Sequence, residues 1–297
     1  MKKENNDVKV NGEVTFYEKD HLYVNTRDAS IKYISVTTLI KDFHEEFDDD
    51  FWSGYKALES LMGNEFRDLR GYLLTKKKID FDVKTYVDPT EYRLVKQEIL
   101  DGYELKRKTS SEYGTEIHKQ KEEKFYKGGK INPKDCGFLL HDDVFDCERN
   151  NFDLNREKAV LPEYLVYYSD GMVNIAGQMD LLIKNGNDIY IYDFKTNENG
   201  IESKSYYDKF TKKSKKMFYP LSHLDDCKLQ HYTVQLSLYA WMLQQINPDF
   251  KIKRLCLIHI DRNHKETEID VDYRKEDIVK MLKAYKKKLN IKKLKNG

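Results

Sequence analysis

Asp180, Asp193 and Lys195 are the residues whose types and spacing point most directly to chemistry. They lie in the segment GQMDLLIKNGNDIYIYDFKT, residues 177–196. Two apolar runs flank Lys184-Asn185-Gly186-Asn187, which is how a β-hairpin reads from sequence. With the turn centred on Gly186 and Asn187, Asp180 falls across from Asp193 on the partner strand. Side chains alternate along a strand, so Asp193 and Lys195 share a face and Phe194 points the other way. Two carboxylates and an ammonium then converge within strands otherwise rich in Leu, Ile and Tyr. Asp is depleted in strand interiors, and like charges directly opposite one another destabilise a sheet. A bound divalent cation removes that penalty, because hard metals take carboxylate oxygens. The chemistry this suits is metal-assisted hydrolysis of a phosphodiester.

Two further motifs flank the hairpin in chain order. Upstream lies Gly114-Thr115-Glu116-Ile117-His118, a GxxxH pattern on a helical stretch. Downstream lies Gln235-Leu236-Ser237-Leu238-Tyr239, a QxxxY pattern whose ends sit one helical turn apart on the same side. Taken together, GxxxH, Asp180, Asp193-Phe194-Lys195-Thr196 and QxxxY resemble the PD-(D/E)XK nuclease superfamily, in its RecB-like exonuclease branch. The resemblance runs from about Gly114 to Tyr239, and a looser likeness to phage-encoded members extends over His21-Leu22-Tyr23 and Ser35 to Ile40.

This resemblance implies an α/β fold with a restriction-endonuclease-like core, a central mixed β-sheet flanked by helices and an N-terminal helical elaboration. It implies Asp180, Asp193 and Lys195 as catalytic residues. Metal ligands would be His118, Asp180, Asp193 and the backbone carbonyl of Phe194, with Glu163 as an acid that many relatives carry on the preceding strand. Gln235, Tyr239 and Thr196 would support the site or touch substrate. The implied cofactor is Mg²⁺ or Mn²⁺, and the implied partner is DNA, as a single strand or a duplex end. Some RecB-like relatives also carry an iron–sulfur cluster with a tight Cys group after QxxxY. Only Cys256 follows Tyr239 here, and Cys136, Cys147 and Cys227 form no CxxC pair, so such a cluster is not expected.

The formal net charge of +1 means that nucleic-acid affinity must come from local patches rather than overall charge. Of 52 basic residues, 42 are Lys and 10 are Arg. Lys acts as a point charge on phosphate, whereas Arg reads guanine bidentately, so the balance favours sequence-independent backbone binding. The segment 204–216 carries Lys204, Lys209, Lys212, Lys213, Lys215 and Lys216 among Tyr206, Tyr207 and Phe210. Basic residues interleaved with aromatics suit a DNA single strand; the alternative is a solvated loop. The tail from Ile278 to Gly297 has eight Lys and no acid, which reads as the solvated face of an amphipathic helix.

Met1 to Gly12 is polar and charged, without a secretory pattern, and no apolar run approaches the roughly 20 residues of a membrane span. These features lead to the expectation of a cytoplasmic protein with free thiols and no membrane partner. Residues 1–12 read as a disordered N-terminus and 13–297 as a single domain. Within it the helical elaboration spans about 36–110, the catalytic core about 111–261 and a C-terminal Lys-rich helix about 273–291. Helices are expected over Val36–Phe43 (capped by Ser35), Phe51–Leu61, Tyr92–Leu105, Ser111–Tyr126, Lys228–Gln245 and Glu276–Ile291. Strands are expected over Val14–Tyr17, Leu22–Val24, Val160–Tyr168, Val173–Ile183, the hairpin's second arm and Leu255–Ile260. His141–Asp153 reads as a connection or partly helical insertion.

The leading expectation is a metal-dependent DNA exonuclease serving phage or bacterial recombination, repair or processing. No GxxxxGK[ST] P-loop is present, so any ATP-driven unwinding falls to a partner such as a helicase, alongside a single-strand annealing or recombination protein. A structure-specific or restriction-type endonuclease is the alternative on the same core. A non-catalytic DNA-binding module with a nuclease-like fold is the alternative of another class; it would be favoured by loss of Asp180, Asp193 or Lys195, and all three are present.

Overall fold

The computed structural model describes residues 8–126, 152–208 and 213–296. Four short strands open the fold: β1 (Val8–Asn11), β2 (Val14–Tyr17), β3 (Leu22–Asn25) and β4 (Lys32–Ser35). They form an antiparallel meander. β1 corrects the expectation of a disordered stretch through residue 12: Val8–Asn11 pairs with β2 along its whole length. Ser35 then caps α1 (Val36–Lys41), its side chain accepting from the Thr38 amide. Val36, Leu39 and Ile40 of α1 are buried in the core of the main sheet.

Helices α2 (Asp49–Met62), α3 (Phe66–Lys76) and α4 (Pro89–Tyr126) follow. Asp48 caps α2 at the Phe51 amide, and Asp88 accepts from the amides of Thr90 and Glu91 at the head of α4. Two helices were expected where α4 runs unbroken over 38 residues. The polar bridge Lys106–Ser110 holds neither Gly nor Pro, and the Thr109 hydroxyl bonds back to the Leu105 carbonyl within the helix.

The rest of the sheet comprises β5 (Lys158–Ser169), β6 (Asn174–Asn185), β7 (Asp188–Lys195), β10 (Lys251–Ile260) and β11 (Glu266–Asp270), with the small pair β8 (Tyr207–Asp208) and β9 (Lys213–Ser214) apart from it. Helices α5 (Lys228–Ile246) and α6 (Lys275–Asn296) complete the chain. The main sheet runs β1-β2-β3-β4-β6-β7-β10-β11, with β5 on β6. Parallel pairs β4–β6 and β7–β10 join antiparallel ones, so the sheet is mixed, as expected. The expected hairpin turn is present: Asn185 pairs with Asp188, and Gly186 takes the positive φ of 59° that a two-residue turn needs. α5, expected over Lys228–Gln245, is buried throughout residues 233–243.

One detail of register makes room for a site. β5 occupies one edge of β6 over its length. β4 and β7 share the other edge, β4 at Ile175–Ala176 and β7 at Leu181–Asn185. Gly177 to Asp180 therefore lie at the fork where β4 and β7 part.

The described chain divides into two compact units. The first, residues 1–45, 116–207 and 214–297, holds the sheet, α1, α5 and α6. The second, residues 46–115 and 208–213, has its own core of Phe51, Tyr55, Leu58, Phe66, Leu73 and Tyr92. The helical unit thus begins ten residues after the expected 36, because α1 buries its apolar face with the sheet. The stretch His141–Asp153 lies outside the described residues except for its last two. No helix among the described residues is long and apolar enough to cross a membrane.

Candidate active site

β6 and β7 carry the two acids. Asp180 and Asp193 stand one step beyond the Leu181–Tyr192 pair, at facing positions. They are 9% and 2% exposed, a burial that carboxylates rarely have without partners. The Phe194 amide donates to Asp180 Oδ2 at 2.5 Å. Gln235 Nε2 donates to Asp193 Oδ1 at 3.2 Å and lies 3.4 Å from the Tyr239 hydroxyl. Asp193 Oδ2 pairs with the Lys195 ammonium. Lys195 also lies over the Tyr232 ring at 4.6 Å. α5 thus covers the Asp193–Lys195 face through Tyr232, Gln235 and Tyr239.

Phe194 points the other way, as alternation requires. It meets the His118 ring edge-on at 6.2 Å and the Phe125 ring at 6.4 Å. His118 Nδ1 reaches to 3.4 Å from Asp180 Oδ1. On β5, Glu163 stands opposite Asp180 in the antiparallel register, between the Pro162–Leu181 and Tyr164–Met179 pairs. Its φ of 50° is left-handed, in the middle of a strand. One ligand atom from each of His118, Glu163 and Asp180 lies within 4.8 Å of the others.

Burial and mutual charge set the protonation pattern. Burial alone would raise Asp180, but the imidazolium of His118, the Lys195 ammonium and the Phe194 amide outweigh it and hold it low. Burial pushes Asp193 up to about 6, against the pull of Lys195 and with a push from Asp180. Burial also lifts Glu163 to about 8, with Asp180 adding to the effect. The Asp180 carboxylate raises His118 to about 9. Burial would lower Lys195, but Asp193 and Asp180 raise it, so it stays an ammonium. Carboxylates this close hold protons they would lose in water, which is the state a divalent cation relieves. The His118–Glu163–Asp180 group, with Asp193 facing Asp180 beside it, fits such an ion.

Of the expected site residues, His118, Glu163, Asp180, Asp193, Phe194, Lys195, Gln235 and Tyr239 come together. Thr196 is half-buried just past β7. The Lys segment does not behave as one group. Lys204 is exposed, Lys209 and Lys212 lie outside the described residues, and Lys213 opens β9. Lys215 pairs with Asp226 and Glu45, each at 3.1 Å, and Lys216 with Asp225 at 2.6 Å. Cys227 and Cys256 are free and buried, while Cys136 and Cys147 lie outside the described residues.

Sequence reasoning missed two participants. Lys9, 7% exposed, lies 3.8 Å from Glu163 and 4.0 Å from Glu122. It falls in the stretch that reads as a disordered N-terminus, so no local signal marks its burial. Gly177 is the other. A Cβ there would stand 2.8 Å from Tyr239 Cε1 and 3.1 Å from Val36 Cγ2. The glycine of one motif is what admits the tyrosine of another.

No curated protein matches the chain significantly. Among solved structures, "Crystal structure of SSO0001" is 16% identical with a TM-score of 0.23, covering 43% of this chain and 47% of that one, so the match spans about half of its length. The crystal structure of "Putative exonuclease" from Eubacterium rectale is 12% identical with a TM-score of 0.34, covering 86% of this chain and 79% of that one. The family model of the PD-(D/E)XK nuclease superfamily, whose members use divalent metal ions, matches residues 89–297, well over half of the sequence, and the chain belongs to that superfamily.

Proposed function

We propose that this protein is a divalent-metal-dependent DNA exonuclease of the RecB-like kind, acting on DNA ends in phage or bacterial recombination, repair or processing. The observation that carries the reading is the convergence of Asp180, Asp193, Lys195 and His118 at the β4–β7 fork, with both carboxylates almost fully buried. Asp180, Asp193 and His118, with Glu163 and the Phe194 carbonyl, would hold Mg²⁺ or Mn²⁺. A cation there supplies charge to the phosphate oxygens and acidifies water. The chain's own groups do the rest. Gln235 and the Phe194 amide each hold one carboxylate oxygen, Asp193 Oδ1 and Asp180 Oδ2, and so orient the acids. Lys195 remains protonated, orients the attacking water and offsets the negative charge that grows on the phosphate oxygens. His118 gives up its proton on becoming a ligand. The exposed Lys204 and its neighbours Lys209, Lys212 and Lys213 would guide a strand by phosphate contact.

The test is hydrolysis of end-labelled linear, nicked and covalently closed circular DNA with Mg²⁺ or Mn²⁺. Degradation of linear DNA, sparing of closed circles, and loss with EDTA and in Asp193→Ala are expected. Activity that persists in a clean Asp193→Ala preparation refutes the site; rapid cutting of closed circles replaces exonuclease with endonuclease.

A further inference from the structure

A second group of metal-type ligands lies away from the acidic hairpin, within the same compact unit. His44 follows α1, Asp226 stands just before the Cys227 that opens α5, and His231 lies in the early part of that helix. One ligand atom from each lies within 4.8 Å of the others. The backbone holds them there. The Phe218 amide donates to the Phe43 carbonyl at 2.7 Å, the Glu45 amide to Asp226 Oδ2 at 3.4 Å, and the Asp226 amide to the Lys215 carbonyl at 2.9 Å.

Three details suit these residues to a metal. His44 Nδ1 lies 3.2 Å from the Glu45 carbonyl, which can only accept, so Nδ1 carries the proton and Nε2 keeps its lone pair. Ligating histidines are commonly oriented by such a bond from the other ring nitrogen. His231 Nε2 and Asp226 Oδ1 share one proton across 2.7 Å. A cation can take the place of that proton, bonding both atoms while the proton leaves to solvent. Asp226 Oδ2 remains held by Lys215 at 3.1 Å, the outer bond that fixes a ligating carboxylate. The two imidazoles are stacked at 4.0 Å, 18° from parallel, so one ring must turn about its Cβ–Cγ bond to bring both lone pairs onto one ion. Two imidazole nitrogens and one carboxylate oxygen form a set that suits zinc and its neighbours rather than Mg²⁺ or Ca²⁺, which prefer oxygen alone.

We propose that His44, Asp226 and His231 bind one zinc ion, separate from the catalytic centre, that ties the chain after α1 to the head of α5. A water completes four-coordination. His231 stands four residues before Gln235 on the same helix face, so the ion would fix the helix that holds Asp193. The proposal does not depend on the nuclease reading.

The experiment uses the full chain, stripped of metal, titrated with Zn²⁺ against a chromophoric chelator and with Co²⁺ by visible absorption. The acidic hairpin is disabled as a competitor in Asp180→Asn. One equivalent bound in Asp180→Asn, and that equivalent plus any held by the acidic hairpin in wild type, is expected, with the intense absorption of tetrahedral Co²⁺ in Asp180→Asn. In the Asp180→Asn background, His44→Gln and His231→Gln should each weaken binding by more than about tenfold. Wild-type protein that takes up no equivalent of Zn²⁺, or only octahedral Co²⁺, overturns the proposal even if a variant fails to fold; the residues are then an ion-pair network only. Binding lost in Asp180→Asn, or kept within about twofold in both histidine variants, also overturns it.

Discussion

Gly177→Ala tests whether the two motifs that meet at the fork act as one. Its φ is unremarkable, so the cost comes from space alone. The new methyl would stand 2.8 Å from Tyr239 Cε1 and 3.2 Å from its hydroxyl. Ordinary carbon contacts begin near 3.5 Å, so the ring must retreat by roughly 0.7 Å. Val36 Cγ2 at 3.1 Å blocks the methyl from moving instead. Overpacking of this kind costs about 1–3 kcal/mol. At roughly 2–4 °C per kcal/mol for a domain of 150–250 residues, the Tm should fall by about 2–12 °C. The retreat also pulls the Tyr239 hydroxyl from Gln235, which holds Asp193 Oδ1 at 3.2 Å. Displacement of a catalytic group by about 1 Å can cost about a hundredfold in rate, so hydrolysis should drop more than stability explains. The assay pairs thermal unfolding with metal-dependent degradation of linear DNA in Gly177→Ala, Tyr239→Leu and the double variant. Removing the ring should relieve the methyl, giving a coupling of about 0.5–3 kcal/mol. A Gly177→Ala protein within about 0.5 kcal/mol of wild type, with additive double-variant stability, would refute the reasoning.

Metal affinity should rise with pH, because Asp193 at about 6, Glu163 at about 8 and His118 at about 9 must each shed a proton to become ligands. Calorimetry with Mn²⁺ from pH 5 to 9 checks this; His118→Ala should lose the upper part of the rise, and a flat profile contradicts it. Lys9→Met should destabilise in urea, by about 3 kcal/mol above pH 8 where Glu163 is ionised and by less at neutral pH, since it strips a nearly buried cation from Glu163 and Glu122. Lys9→Arg should recover most of the loss, and equal stability of Lys9→Met and wild type would show the ammonium to be idle. Neutralising Lys204, Lys209, Lys212 and Lys213 should flatten the salt dependence of single-strand binding by about 0.7 in log–log slope per lost phosphate contact. Binding in Ca²⁺ across a salt series reads this directly, and identical slopes would place the strand path elsewhere.

The catalytic hairpin was legible because everything that defines it is local. A Gly-centred turn fixes the register, alternation fixes the faces, and the two Asp stand out among Leu, Ile and Tyr. GxxxH and QxxxY were legible for the same reason, as spacings within one helix. What escaped depends on contacts between distant segments. No local pattern says that β4 and β7 share one edge of β6, which opens the fork around Gly177. Nor does one say that Lys9 faces inward, because its burial comes from Glu122 and Glu163, more than a hundred residues away. The length of α4 was missed because a polar bridge in a continuous helix looks like a loop when its neighbours are unknown. Lys215 and Lys216 read as free charge beside aromatics, while folding brings Asp225 and Asp226 to them.

The left-handed backbone at Glu163 sets a conflict for anyone engineering this protein. An L-residue other than Gly, Asn or Asp pays about 1–2 kcal/mol for that conformation, and here it adds to the burial of a carboxylate. Glu163→Gly would release both strains at once, in the middle of a long strand of the main sheet, and Lys9 would keep Glu122 as a counterion at 4.0 Å. A selection scheme that rewards only thermal tolerance or expression would therefore favour loss of this acid early. Variants enriched that way would be well folded and easily purified, with one carboxylate missing from the group beside Asp180. Screening for robustness and screening for DNA degradation pull this position in opposite directions, so a stabilisation campaign should hold residue 163 fixed.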